Sequence, residues 1–333
     1  MTISLSFTNE QLQYVVAQRR IGIEYNAIAA GLRKKFKIGK SVEAIRRAFN
    51  NYERRFDTKN QLDPQAAVPA YVPKVLLFDI ETAPIIAYVW GLWQNDVSLN
   101  QIRTDWHLLS WSAKWLGTPD TDIMYMDQRA AKDVENDKVI LLGLWKLLDE
   151  ADIVITQNGK DFDQKKLNAR FAFHGFHPPS SFKHIDTMLI AKRRFKFTSN
   201  KLEYLTDKLC TKYKKLKSAK FSGFELWRQC LAGNIAAWQE MEKYNKYDVL
   251  SLEELYHKLQ PWDANGINFS LYSASETHTC RCGSTEFIKK GWHYTGTGKF
   301  QRYRCKSCGA ETRDRVNQFS KEKRKSLHVN SAG

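Results

Sequence analysis

The stretch Val75-Leu-Leu-Phe-Asp-Ile-Glu-Thr82 decides the fold of this 333-residue chain. Val75 to Ile80 is an apolar run of strand length, the pattern of a strand covered on both faces. Asp79 and Glu81 break into it two residues apart, and side chains two apart on a strand share one face. Phe78 and Ile80 take the other face. Two carboxylates on a covered face are costly unless a cation neutralises them. The stretch thus reads as a central strand that carries acids where folding alone would place apolar residues.

Working outward, Ile123–Met126 and Ile153–Gln157 carry further strand signals. Apolar spacing predicts helices at Val139–Leu148, 164–174, 186–194, 201–209 and about 235–259. This order predicts an α/β domain with a mixed sheet over residues 74–275. Two later segments add polar groups to the first. In Thr156-Gln-Asn-Gly-Lys-Asp-Phe-Asp163, Gly159 allows a tight turn. Asn158 and Asp163 follow the carboxyl end of a strand, where ligands of open α/β sheets gather. Read alone, Asp163 could equally be a helix N-cap, as could Asp161. In Tyr244-Asn-Lys-Tyr-Asp248, Tyr244 and Asp248 lie four apart and share a helical face.

Together the three segments resemble the motifs of the DEDD superfamily of exonucleases. Asp79 and Glu81 match the first motif; Asn158, Phe162 and Asp163 match the second; Tyr244 and Asp248 match the third. The tyrosine marks the tyrosine subclass, since a histidine-subclass motif would have His where Lys243 stands. The likeness is nearest to predicted exonucleases related to the proofreading domain of family B DNA polymerases. It covers 74–275 and extends to His184-Ile-Asp-Thr187, Leu202-Glu-Tyr-Leu205 and Leu255-Tyr-His-Lys-Leu-Gln-Pro-Trp262. The resemblance implies a ribonuclease-H-like fold and 3′–5′ exonuclease action with two Mg²⁺ or Mn²⁺ ions about 3.5–4 Å apart. It implies that Asp79 bridges both ions, that Glu81 and Asp248 complete one site, and that Asp163 helps hold the other, largely through water. Tyr244 would orient the attacking water and Asn158 the substrate strand. Asp186 is a lesser candidate whose other reading is an N-cap.

The flanks carry the charge. Residues 1–60 hold 12 Lys/Arg against 5 Asp/Glu, residues 278–333 hold 13 against 4, and the middle is balanced at 27 each. The net +16 therefore lies at the two ends and points to a polyanionic partner, nucleic acid above all. Residues 1–57 predict three short helices: one begins at a Thr8/Gln11 capping box, one spans Tyr25–Phe36, and one is capped by Ser41. They resemble Myb/SANT-type helix-turn-helix domains, with Arg46, Arg47, Asn50, Arg54 and Arg55 on the third helix facing DNA. A helical brace is the competing reading. Residues 58–73, with three prolines, read as a linker.

In 276–316, Cys280-Arg-Cys282 and Cys305-Lys-Ser-Cys308 stand 22 residues apart. Four thiolates suit tetrahedral Zn²⁺, and the segment has too little core to fold otherwise. It resembles transposase-type zinc ribbons, from which Cys-x-Cys in place of Cys-x2-Cys departs; His278 is a reserve donor. Basic and aromatic residues around it, Lys290, Arg302 and Arg304 among them, suit nucleic-acid contact. The basic tail 317–333 is expected to lack regular structure. Cys210 and Cys230 read as small buried apolar residues.

The leading expectation is a metal-dependent 3′–5′ exonuclease acting on nucleic acid, with DNA favoured. A structure-selective endonuclease and a non-catalytic nucleic-acid-binding regulator of a mobile element are the alternatives. Replication or repair proteins are conceivable partners. With no apolar run of about 18 residues and no signal-like N-terminus, no membrane span is expected. A cytoplasmic location is expected, the host's cytoplasm if the chain is phage-encoded.

Overall fold

The computed structural model describes residues 7–20, 23–60, 72–93, 95–214, 216, 220–272 and 277–329. The chain divides into two compact units, Met1–Pro69 and Ala70–Gly333.

The first unit holds α1 (Asn9–Arg20), α2 (Tyr25–Phe36) and α3 (Val42–Asn60). Val15, Ile28, Leu32 and Ile45 form their shared core, each at most 1% exposed. The capping box is formed: Thr8 N donates to Gln11 Oε1 (3.1 Å) and Gln11 N to Thr8 Oγ1 (3.3 Å). Ser41 Oγ accepts from Ala44 N (3.2 Å) and starts α3. Gly31 permits the approach of α1 and α2, because a Cβ there would lie 2.2 Å from the Tyr14 hydroxyl. α3 runs to Asn60, past the expected boundary at 57. Residues 61–71 of the expected linker lie outside the described residues.

The second unit contains, in order, β1 (Val75–Thr82), β2 (Ile86–Ala87), β3 (Ile102–Thr104), β4 (Leu108–Trp115), β5 (Met124–Asp127), α4 (Lys138–Glu150), β6 (Ile153–Thr156), α5 (Asp163–Phe173) and β7 (Lys183–Asp186). Then follow α6 (Thr187–Arg194), α7 (Leu202–Leu209), α8 (Glu225–Leu231), α9 (Ile235–Leu259), β8 (Phe287–Tyr294), β9 (Lys299–Cys305), β10 (Glu311–Arg313) and α10 (Lys321–Lys325). The main sheet has the order β5-β4-β1-β6-β7. β1 is its centre, antiparallel to β4 and parallel to β6. The mixed α/β sheet expected from the sequence is the one observed.

Strand alternation divides β1 between two cores. Leu76, Phe78 and Ile80 pack with Trp111, Leu144, Leu167 and Phe171, the layer of α4 and α5. Val75 and Leu77 pack on the opposite face with Ile190, Leu205, Val249, Leu252 and Leu255, the layer of α6, α7 and α9. Each such side chain, fully buried, contributes about 1.5–3 kcal/mol. β4 also fixes α9. Lys114, 1% exposed, places its Nζ 2.6 Å from Glu253 and 3.8 Å from Asp120. Removing one partner of such a buried pair typically costs about 3–5 kcal/mol.

β8, β9 and β10 form a separate antiparallel sheet of order β10-β9-β8. Gly291, at φ 80°, sits where the β8–β9 register slips. Among the described residues from 277 on, Cys280, Gly298 and Cys305 alone are buried. This small sheet is tied to the end of α9 through Arg281. Its Nη1 donates to the Asp263 carbonyl (3.3 Å) and to that of Ala264, and its own carbonyl accepts from Phe269 N (2.8 Å). The tail departs from expectation: α10 forms there, with Ser320 Oγ accepting from Lys323 N (3.1 Å).

Candidate active site

The acids of β1 lie on the face covered by α9. Val75 and Leu77 fill that face toward one end of the strand, and Asp79 and Glu81 continue it. The neighbouring strand leaves room for them. Ser112 pairs with Asp79 and Ser110 with Glu81 across the antiparallel register, so small hydroxyl side chains flank both carboxylates. Both serines are fully buried. The Ser112 hydroxyl has no hydrogen-bond partner among the described residues.

α9 supplies the third acid. Asp248 is 2% exposed, and Val249, Leu252 and Leu255 anchor its helix in the core. Oxygens of Asp79, Glu81 and Asp248 lie within 4.8 Å of one another. Three carboxylates so close repel one another, most strongly at the buried Asp248. A hard divalent cation relieves that repulsion, and oxygen donors are the ligands such cations take. The donor set therefore fits Mg²⁺ or Mn²⁺, with these three residues as holders.

Two further residues orient the acids. Asn245, fully buried on α9, donates from Nδ2 to Asp79 Oδ2 (2.8 Å), and the Ser110 hydroxyl donates to its Oδ1 (3.4 Å). Trp227 on α8 donates from Nε1 to Glu81 Oε2 (3.2 Å) and sets its ring edge-on to Tyr244, centroids 6.0 Å apart. Tyr244 thus stands beside the acids, one turn before Asp248. Asn245 had a sequence signal: it lies three residues before Asp248, on the same helical face. Trp227 had none, since no helix was expected over α8.

The second motif is placed differently. Asp163, 4% exposed, begins α5 and accepts from Ile80 N through Oδ1 (3.3 Å). It thus bonds the backbone between Asp79 and Glu81. Yet it stands outside the group whose oxygens are mutually within 4.8 Å. Burial raises its pKa. Asn158 adopts φ 68°, so the left-handed residue of the turn is Asn158 itself. Gly159 is required for another reason: a Cβ there would fall 2.3 Å from Thr156 Oγ1. Asp186 proves to be a cap and a brace. It accepts from Met188 N and Asn158 N, each at 3.0 Å, and from Lys160 N at 3.2 Å. Asp161 is exposed and pairs with Lys165 at 2.9 Å. Burial pushes the His184 imidazole down to about 4, which suits its place between Thr156 and Gln164.

A family model for the RNase_H superfamily, RNase_H_2, matches residues 116–260. The central domain has a ribonuclease-H-like fold. The match takes in Asn158, Asp163, Tyr244 and Asp248 and begins after β1. No curated protein matches the chain significantly. The ribonuclease-H-like domain supports nuclease-type hydrolysis of nucleic acid with divalent metals, and it supplies β1 and α9 as the frame of the acid cluster.

The cysteines form the other metal-competent group. The Sγ atoms of Cys280, Cys282, Cys305 and Cys308 lie within 4.8 Å of one another, and no disulfide links them. Cys280 and Cys308 are 3.7 Å apart, as are Cys282 and Cys305. Sulfurs about 2.3 Å from one tetrahedral ion would be about 3.8 Å apart. His278 is not needed: it is exposed and stands 3.6 Å from Asp314. The middle residue of the short Cys-x-Cys is Arg281, which bonds to carbonyls just past α9. Cys210 and Cys230 are buried, 4% and 1% exposed, and stand apart from this group.

The proposed nucleic-acid contacts vary in how free they are. Arg302 donates to the Lys290 carbonyl (2.9 Å), and Arg304 pairs with Glu311 at 2.7 Å. Lys290 is exposed. Arg46 and Arg47 are exposed on α3, and Arg46 reaches Glu43 at 3.7 Å. The side chains of Arg54 and Arg55 lie outside the described residues. No helix among the described residues is long and apolar enough to cross a membrane.

Proposed function

We propose that this protein is a 3′–5′ exonuclease that hydrolyses nucleic acid, DNA in preference, with two Mg²⁺ or Mn²⁺ ions held at the acid cluster. The convergence of Asp79, Glu81 and Asp248 within 4.8 Å carries this reading. The ions supply charge neutralisation for the attacking and leaving oxygens of the phosphodiester. Asn245 holds the Asp79 carboxylate in one orientation, and Trp227 does so for Glu81. Asp163 keeps its position through Ile80 N and belongs to the outer ligand sphere, acting through water. Tyr244 orients the attacking water, and the hydroxyl gives that water a fixed donor and acceptor. Asn158 meets the substrate strand at the turn after β6.

Residues 1–57 act as a helical DNA-binding module through Arg46, Arg47 and Arg54. Residues 276–316 form a ribbon that Zn²⁺ stabilises through the four cysteines, with Lys290, Arg302 and Arg304 toward phosphate. The test uses 3′- and 5′-labelled single- and double-stranded DNA and RNA with Mg²⁺ or Mn²⁺, wild type against Asp79→Ala. Stepwise loss from the 3′ end, absent in the variant, is expected. Equal activity of the two proteins would refute the site.

A further inference from the structure

The segment between β1 and β4 exposes an unusual amount of aromatic surface. Tyr88 is 69% exposed, Trp90 101%, Leu92 88% and Trp93 87%. Large apolar side chains rarely gather on a surface without something to cover them. The segment is nonetheless built. Ile86 pairs with Thr104 and Ala87 with Ile102. Tyr88 N donates to the Gln101 carbonyl, and Gln101 Nε2 returns a bond to the Tyr88 carbonyl, each at 2.9 Å. Ser98 and Gln101 cap the returning turn, and Asn95 bonds the Gly91 carbonyl. Its root is fixed by Ala83 N to the His107 carbonyl (2.8 Å). The hairpin holds its aromatic tip out rather than folding it in.

Its position and charge narrow the occupant. The hairpin leaves β1 directly after Glu81, so Trp90 lies at most about 30 Å of extended chain from the acids. From residue 83 to 102 there is no Lys or Arg, and Asp96 is the single acid. Arg103, exposed on β3, is the hairpin's one cation, and the aromatic tip at 88–93 offers a phosphate backbone no charged side chain. Planar apolar faces match the faces of nucleobases, which stack on aromatic side chains irrespective of sequence. In a duplex those faces are hidden in the stack; in a single strand they are open.

We infer that the β2–β3 hairpin is a stacking platform for unpaired bases, with Trp90 and Trp93 its main contacts, and that it directs the enzyme to single-stranded ends. This rests on the acid cluster being the place where a strand is cut, but stacking can be read without cutting.

The experiment uses the full chain carrying Asp79→Ala, so that hydrolysis does not intervene. Oligonucleotides carry 2-aminopurine at successive positions from the 3′ end, as a single strand and as a blunt duplex. Stacking quenches this base. The expected result is a quench confined to one or two positions and single-strand binding about tenfold or more tighter than duplex binding. Adding Trp90→Ala and Trp93→Ala should abolish the quench and weaken single-strand binding about tenfold or more, with duplex binding unchanged. Trp90→Phe with Trp93→Phe should restore most of both. Matching melting curves establish that each variant is folded. Unchanged quench and affinity in the alanine variant would overturn the inference, as would loss of self-association in place of loss of strand binding. If wild type with Asp79 intact fails to degrade ends while the quench persists, the exonuclease reading falls and the stacking platform stands.

Discussion

Among the described residues two clusters are fit for metal ions, and they are supported in opposite ways. Asp79, Glu81 and Asp248 sit on β1 and α9, whose neighbours Leu77, Val249 and Leu252 are at most 1% exposed. That scaffold folds by burying apolar surface and then imposes proximity on three like charges. Cys280, Cys282, Cys305 and Cys308 join a sheet whose β8 is almost wholly exposed and whose β9 is mostly half-buried. There the ligand set is itself most of the core, and the ion would be part of the folding energy. A site the fold can build unaided is available for chemistry; a site the fold depends on is structural.

Breaking the acid cluster should give the largest functional effect and almost no structural one. Asp79→Ala should lower hydrolysis by about a thousandfold or more, the scale of losing a central electrostatic group. Its melting temperature in metal-free buffer should stay the same or rise, because a repelling charge is gone. A fall of more than a few degrees would mean that Asp79 is a structural residue, and the contrast would fail.

The ribbon should behave in the reverse sense. Cys305→Ser, or a strong chelator, should release one equivalent of zinc measured by elemental analysis. Proteolysis should then cut within residues 277–329 while the α/β domain stays resistant, since losing such an ion removes roughly 10 kcal/mol or more from a small module. A ribbon that stays resistant without metal would show that the cysteines are not its core.

Asn245 tests how the acids are held. Asn245→Ala removes the 2.8 Å bond to Asp79 while leaving all three carboxylates. Outer partners of this kind are worth about 10–100-fold in metal affinity or activity. The metal concentration needed for half-maximal activity should rise, and excess metal should recover part of the rate. No recovery would mean that Asn245 acts on the fold rather than on Asp79.

How much of this was legible follows from the same contrast. β1, α5 and α9 announce themselves by apolar period, and their acids stand out because they violate it. β4 was not read, although it pairs with the central strand β1. Its α9-facing residues Ser110, Ser112 and Lys114 alternate with Trp111, Ala113 and Trp115, so the two-residue period of a strand was there to read. Those polar residues are tolerated because they face acids and the Glu253 carboxylate. Trp227 was invisible because its contact with Glu81 crosses 146 positions and depends on where α8 packs. Gly159 was read as allowing a tight turn; the left-handed residue is Asn158, and the constraint at Gly159, a clash with Thr156, leaves no trace in a local pattern. The four cysteines were legible from spacing, whereas the docking role of Arg281 between them was not.

Arg281 gives the smallest expected effect and the finest test. Its guanidinium bonds two carbonyls just past α9, the helix that carries Asp248. Its neighbours on either side are Cys280 and Cys282 of the four-cysteine group, so a metal held there would fix the backbone from which it reaches. Arg281→Ala removes the side-chain bonds but keeps every proposed ligand of both clusters. Each lost bond to a carbonyl is worth about 1 kcal/mol. The melting temperature should fall by only a few degrees, and zinc content should stay at one equivalent. Hydrolysis of a short single strand should be unchanged, because Asp248 is held by the middle of α9 rather than its end. If the ribbon carries substrate, affinity for long strands should drop several-fold, and raising the salt should narrow the gap, because the variant releases fewer counterions. Should the short-strand rate fall together with the long, the two clusters are mechanically coupled through α9, and the separation between a built site and a supporting one would have to be given up.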